Sequence, residues 1–387
     1  MSKVLLNAEV ITPFQVRKES VIVIENEKIK ELGNKKNVKY SKNSEIHDLA
    51  GKYVVPGFID LHVHGIAGND FSEPAACDFE KITNSFLSHG ITGILITLIP
   101  KPKKELIKDI RFYTNLISKL KKPNIICGLH LEGPFLNKKM HGAIHPDSLW
   151  TPDFDDWCSL YEASLGNLKL MTIAPELPGC IEIIRDASLK GVATSIGHTE
   201  ADYDTILTAI DNGLAQVTHI YNAMHQTHHR DPGVLGACYT SDELKVQLIA
   251  DGIHVHPVTM EFLVKIKGVN GIILVSDAIA PATLPEGNYT FGGQNIQIKD
   301  KKVLLADGTI AGSCLTLDTA FKNMVKEVEV PITGAARMAS LNPARVLRQD
   351  NAKGIISVGK NADLVVLNKD LEVEMTILQG EILYKKQ

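Results

Sequence analysis

The sequence predicts an α/β protein: a TIM-like (β/α)8 barrel with a small β-sandwich domain built from both chain termini. Three observations predict it. The middle of the chain alternates about eight apolar, strand-like runs with amphipathic helical stretches, the pattern of a parallel sheet with crossover helices and the strand number a closed barrel needs. Both ends carry short strand-like runs with no long helical period. Metal-ligating residue types stand just after several of the central runs, and a closed parallel barrel opens all of those strand ends onto one face.

Residues 1–55 read as short strands, Val4-Leu5-Leu6 and Val21–Ile24, with turn signals at Glu25-Asn26-Glu27 and Gly33-Asn34. Residues 351–387 have the same texture, in Asp363–Leu367 and Thr376–Leu383, so the two ends are expected to meet as one β-sandwich. Residues 56–350 are expected to hold the catalytic barrel. Its strand candidates are Phe58–Val63, Ile91–Ile99, Ile125–Leu131, Leu168–Ile173, Val192–Ile196, Gln216–Thr218, Lys245–Ala250 and Gly271–Ser276. Helix candidates between them include Phe79–His89, Lys103–Leu120, Cys180–Lys190 and Ala201–Asn212. An open doubly wound sheet is the structural competitor. It would carry a Gly-rich phosphate or dinucleotide turn after an early strand, and no such fingerprint occurs.

A chain of 387 residues has room for a barrel of ordinary size plus an accessory domain. Its net charge of -4 provides no basic field for nucleic acid and no polybasic membrane surface, which favours a small-molecule partner. The apolar run Ile94–Ile99 falls far short of the roughly 20 residues that span a bilayer. The six cysteines, Cys77, Cys127, Cys158, Cys180, Cys238 and Cys314, show no close-spaced pair, and no signal-peptide pattern precedes them. Reduced thiols and a cytoplasmic location are therefore expected.

The stretch Pro56–Gly65 joins a buried-strand pattern to two potential metal ligands. Side chains alternate faces along a strand, so His62 and His64 point the same way. Two histidines on a strand could simply face solvent. The flanking Val54-Val55 and Phe58-Ile59 instead read as a strand buried on both faces, where an unpartnered pair is costly. Further ligand types follow later runs: Glu132 after the third, His198 after the fifth, His219 after the sixth and Asp277 after the eighth. A lone histidine after a strand is more often a hydrogen-bonding loop residue. Four histidines and two carboxylates at corresponding positions favour a site for one or two divalent ions, zinc or iron(II), which suit imidazole and carboxylate.

His62-Val63-His64, Leu129-His130-Leu131-Glu132-Gly133-Pro134, Gly197-His198-Thr199, His219-Ile220-Tyr221-Asn222-Ala223-Met224, Arg230-Asp231-Pro232-Gly233, Asp251-Gly252-Ile253-His254 and Val275-Ser276-Asp277-Ala278 carry a resemblance. Over nearly the whole chain the sequence resembles the N-acetylglucosamine-6-phosphate deacetylase branch of the amidohydrolase superfamily. The Leu-His-Leu-Glu-Gly-Pro and His-x-x-Asn-Ala-Met segments are specific to that branch, whereas His-x-His is shared by many amidohydrolases. The resemblance implies that Glu132, His198 and His219 hold one metal. It leaves room for a second, held by His62 and His64, shared through Glu132 and touching Asp277. Asp277 is the expected catalytic residue, taking a proton from the attacking water and returning it to the departing amine.

The resemblance further assigns Asn222, Ala223, Arg230 and His254 to a sugar phosphate. A loop at Ile310-Ala311-Gly312 is expected against the acetyl and sugar groups, with Ala143 at the substrate, and a homodimer is implied. Relatives often have a histidine directly after the Gly-Ala pair that follows the Leu-Glu-Gly-Pro segment. Here Gly142-Ala143 is followed by Ile144 and then His145, so either the loop is shifted by one residue or that contact is lost. The implied reaction converts N-acetylglucosamine 6-phosphate and water to glucosamine 6-phosphate and acetate. The rivals are deacetylation of the galactosamine epimer and a catalytically silent relative that serves as a binding protein.

Overall fold

Eight parallel strands stand side by side in sequence order: β1 (Phe58–Val63), β2 (Ile91–Leu98), β3 (Ile126–Glu132), β4 (Leu168–Ile173), β5 (Ala193–Ile196), β6 (Leu214–Val217), β7 (Lys245–Ile249) and β8 (Ile272–Val275). They belong to a computed structural model that describes residues 2–386. Every residue of β1, β2 and β8 is buried, as expected of strands with a filled interior on one side and crossover helices on the other. The helices Phe79–Ser88, Lys103–Lys119, Cys180–Leu189 and Tyr203–Asp211 lie within two residues of the expected bounds. Two start at aspartate caps: Asp78 accepts from the Glu80 and Lys81 N–H groups, and Asp202 from that of Thr205.

The sheet closes where β1 meets the end of β8. Asp277 N donates to His62 O at 2.9 Å and His64 N to Ala278 O at 2.7 Å. Lower in the seam, Asp60 Oδ1 accepts from His62 N at 3.2 Å and Ser276 N at 3.3 Å. Closure thus joins two ligand-bearing strand ends directly.

The chain ends form one sheet of eight strands. Its members are Lys3–Ile11, Val16–Glu25, Lys28–Asn34, Glu45–Asp48 and Tyr53–Pro56 from the first part, with Leu364–Leu367, Val373–Leu378 and Glu381–Lys385 from the last. Tyr53–Pro56 knits them together, running parallel to Lys3–Ile11 and antiparallel to Leu364–Leu367. The expected sandwich is therefore one continuous sheet folded over itself. Its two hairpin tips touch: a Cβ on Gly380 would come within 1.9 Å of Asn26 O. The fold encloses a core that includes Leu5, Ile22, Val54, Leu364 and Ile377.

Gly57 is the single residue between this sheet and β1. A Cβ there would lie 2.1 Å from Thr92 Oγ1, and Gly57 N donates to Asp363 O at 2.8 Å. Thr92 is itself buried in β2, so it has little room to yield. Gly57→Ala is expected to destabilise the protein by about 1–3 kcal/mol through overpacking. A chemical denaturation midpoint unchanged from wild type would show that the two units are not pressed together here.

One element was not foreseen. After β8 the chain builds a three-stranded antiparallel sheet, Gly287–Phe291, Gln294–Lys299 and Lys302–Leu305, with its own apolar cluster of Ile279, Phe291, Ile296, Ile298, Val303 and Ala311. All six cysteines are unpaired. Among the described residues, no helix is long and apolar enough to cross a membrane.

Candidate metal centre

The six ligand-type residues converge at the C-terminal mouth of the barrel. His62 is on β1, His64 follows it directly, and Glu132 ends β3. His198, His219 and Asp277 lie just past the ends of β5, β6 and β8, each in a left-handed backbone conformation with φ of 49°, 28° and 52°. Such a conformation costs about 1–3 kcal/mol for a non-glycine residue and persists where the surroundings over-determine it.

Glu132 is the common member of two groups, His62–His64–Glu132 and Glu132–His198–His219, all buried, each with its ligand atoms within 4.8 Å of one another. Its Oε1 lies 3.3 Å from His62 Nε2, 3.3 Å from His198 Nε2 and 3.2 Å from His219 Nε2, and its Oε2 lies 3.4 Å from His64 Nε2. Asp277 Oδ1 is 3.1 Å from His64 Nε2 and 3.4 Å from His62 Nε2.

The donor set fits divalent ions. His198 Nδ1–H donates to Met140 O at 2.8 Å, which leaves Nε2 as a lone pair. That lone pair faces His219 Nε2 at 3.1 Å as well as Glu132. With neutral imidazoles, at most one proton lies among these three converging atoms, a crowding of acceptors that a cation resolves. His62 Nδ1 contacts Gln247 Oε1 at 3.2 Å, so its Nε2 is likewise aimed inward. His130 is no ligand: its two nitrogens contact the Thr97 and Thr172 hydroxyls, and its ring packs edge-on against His62.

The electrostatics without metal agree with this. Burial pushes the Glu132 carboxyl up, but His62 and the hydrogen bonds from His198 and His219 outweigh it and hold the group well below the usual range. Burial also pushes Asp277 up, and His62 with His64 bring it down, so the carboxylate stays ionised. Burial pulls His62 down, yet Glu132 and Asp277 raise it to about 9. A proton on His62 thus supplies, in part, the positive charge that the carboxylates demand.

A cavity of about 190 Å³ opens directly over these groups. Of the residues expected at the substrate, Ala143, Asn222, Ala223, His254, Ile310 and Gly312 line it, while Ala311 is fully buried behind the lining. His254 Nδ1 lies 2.6 Å from Asp251 Oδ2; burial pulls the imidazole down, and Asp251 more than offsets this and raises it. Arg230 does not line the cavity. It sits on an exposed loop with Nη1 3.0 Å from His229 Nε2. His145 is exposed and caps the short turn Pro146–Ser148, and Ile144 takes the place at the cavity, so the contact expected from a histidine after Gly-Ala is lost.

Ile99, Phe291 and Thr309 also line the cavity and were not anticipated. Phe291 packs edge-on against His64, with ring centroids 5.5 Å apart. The alternation of Gly287–Lys299 around Gly292-Gly293 is a hairpin signal that could have revealed the strand bearing it.

Residues 53–383 match the amidohydrolase family. The chain is 32% identical to N-acetylglucosamine-6-phosphate deacetylase of Bacillus subtilis (strain 168), over 99% of this chain and 97% of that protein. The crystal structure of N-acetylglucosamine-6-phosphate deacetylase from Pasteurella multocida superposes over the whole of both chains with a TM-score of 0.94 and 29% identity. A mutant of the Mycobacterium smegmatis enzyme, solved in complex with N-acetyl-D-glucosamine-6-phosphate, superposes with a TM-score of 0.90 and 30% identity over 98% of this chain and 99% of that one.

Proposed function

Because the chain belongs to the amidohydrolase family, we propose that it hydrolyses N-acetyl-D-glucosamine 6-phosphate to D-glucosamine 6-phosphate and acetate. Residues 56–350 would carry the chemistry and residues 1–55 and 351–387 the accessory domain. The observation that carries this reading is the carboxylate of Asp277, set beside a Glu132-centred ligand cluster on the floor of a cavity. The reading includes zinc or iron(II) as the metal and a cytoplasmic homodimer.

Held by Glu132, His198 and His219, with His62, His64 and Asp277 available to a second ion, a divalent metal supplies the Lewis acidity that makes water nucleophilic at neutral pH and polarises the amide carbonyl. Asp277 Oδ1 faces His62 and His64, which leaves Oδ2 to take the proton of water as its oxygen adds to the carbonyl carbon. The same carboxyl group returns that proton to nitrogen as the C–N bond breaks, so the amine departs neutral with acetic acid, which releases its remaining proton to solvent as acetate. Among the described residues, no cysteine or serine lines the cavity, and the scheme needs no nucleophilic side chain. His254, polarised by Asp251, offers a hydrogen bond to a substrate oxygen, and Asn222 and Ala223 flank it. Phosphate recognition is assigned to this side of the cavity, with Arg230 completing it in the homodimer.

The test is acetate release from N-acetylglucosamine 6-phosphate, its galactosamine epimer and unphosphorylated N-acetylglucosamine. Arg230→Ala is expected to lower kcat/KM about ten- to a hundred-fold on the phosphorylated sugar, the worth of a charged hydrogen bond of roughly 1.5–3 kcal/mol. On the unphosphorylated sugar it should change little. Equal losses on both would remove Arg230 from phosphate recognition, and faster turnover of the epimer would overturn the glucosamine assignment.

A further inference from the structure

At the opposite end of the barrel, the N-terminal ends of β5, β6 and β7 frame a second cleft of about 560 Å³. Its wall is completed by residues from the helical segment that follows the barrel, Arg337, Asn342, Arg345 and Arg348. Residues at this end of a barrel ordinarily serve stability. The composition of this cleft is not what stability alone selects.

Four cationic side chains line it, Lys245, Arg337, Arg345 and Arg348, against one carboxylate, Glu243. Among the described residues, Lys245, Arg337 and Arg348 have no carboxylate within 4.0 Å, and Arg345 reaches only Asp350, at 3.9 Å. Arg337 is half-buried: Nη2 donates to Pro13 O at 2.9 Å, Nη1 bonds Asn270, and the guanidinium stacks on Phe14. Its Nε is buried with no partner. Gln216, 1% exposed, stands behind the lining, with its Oε1 3.5 Å from Nε2 of the buried Gln247 and its own Nε2 buried without a partner. The Arg348 guanidinium lies over the backbone of Gly191, where a Cβ would meet its Nη1 at 3.4 Å. Four cations against one carboxylate leave an excess of positive charge along the walls, which an anion entering the cleft would answer.

We propose that this cleft is a binding site for a small phosphorylated molecule, whose phosphate is gripped by Arg345 and Arg348 at the rim and faces Arg337 on the inner wall. Planar guanidinium forks match phosphate oxygens in pairs, and three of them suit a dianion better than a single carboxylate. The volume leaves room for more of the ligand than its phosphate. Burial and the neighbouring charge of Arg345 pull the Arg337 guanidinium down from its ordinary value, a like-charge strain that a bound anion would relieve. The site does not depend on the substrate reading, because it lies at the other mouth of the barrel.

The experiment is calorimetric titration of the metal-loaded, full-length protein with inorganic phosphate at low ionic strength, where rim charges are least screened. The wild type is expected to bind about two equivalents, one at each mouth. The double variant Arg345→Ala/Arg348→Ala should lose one of them, with affinity at the cleft reduced about a hundred-fold or more, at roughly ten-fold or more for each guanidinium. Its acetate-release rate should be unchanged. Both side chains are exposed, so the fold should survive; the milder Arg348→Gln should weaken the same site and guards against a misfolded double variant. A single equivalent that both variants leave untouched would overturn the proposal. A single equivalent that the double variant abolishes would support the cleft and count instead against phosphate binding over the metal centre.

Discussion

Replacing Asp277 by asparagine is expected to cut kcat by about 10²–10⁴-fold while the protein keeps its metal at Glu132, His198 and His219. The amide preserves the size of the side chain and an oxygen that can face His62 and His64, now 3.4 and 3.1 Å from Oδ1. It cannot accept a proton from water. The Glu132–His198–His219 group does not include Asp277, so metal held there should survive the change. Acetate release and metal analysis on the same preparation separate the two effects. A rate near that of the wild type would place the base elsewhere, and loss of all metal would mean that Asp277 is chiefly a ligand.

Glu132→Ala should have the broader effect, because one carboxylate serves both ligand groups. Its two oxygens lie within 3.4 Å of four imidazoles, so the truncation removes the shared member from each group at once. Metal content after dialysis is expected to fall for both sites and activity to disappear, whereas His198→Ala, which belongs to one group only, should spare metal at His62 and His64. The loss also leaves His62, raised to about 9 partly by Glu132, without one of its two carboxylate neighbours. Breaking a buried ion pair costs about 3–5 kcal/mol, so the melting temperature of the metal-free variant should drop as well. Full metal retention in Glu132→Ala would show the ligand set to be wrong. Loss of one ion only would show that the carboxylate is not shared.

The convergence of the six ligand-type residues was legible in the sequence for a local reason. His62 and His64 share a face because strand side chains alternate, and Glu132, His198, His219 and Asp277 each stand within two residues of a strand's C-terminal end. In a parallel barrel those ends share one mouth, so knowing the strand pattern is nearly enough to know that the six meet. The walls of the cavity were less legible. Phe291 and Thr309 come from the insert after β8, whose Gln294 Nε2 donates to Ala143 O at 2.7 Å across more than a hundred residues. Arg230 and Ile144 show the same limit: a motif names a loop residue, but the path of the loop decides whether its side chain faces the ligand.

From the sequence alone came the barrel, the joining of the two chain ends and the meeting of six ligand-type side chains at one mouth, because periodicity and residue type are properties of short segments and parallel topology then directs every strand end the same way. Only the tertiary structure decided that Glu132 stands between two ligand groups and that His198, His219 and Asp277 are turned inward on left-handed backbone. It also decided that Ile144 replaces His145 at the cavity, and that a basic cleft stands at the opposite mouth. These depend on seam closure, loop paths and contacts between distant segments, whose energies are set by three-dimensional packing and leave no periodic trace in the chain.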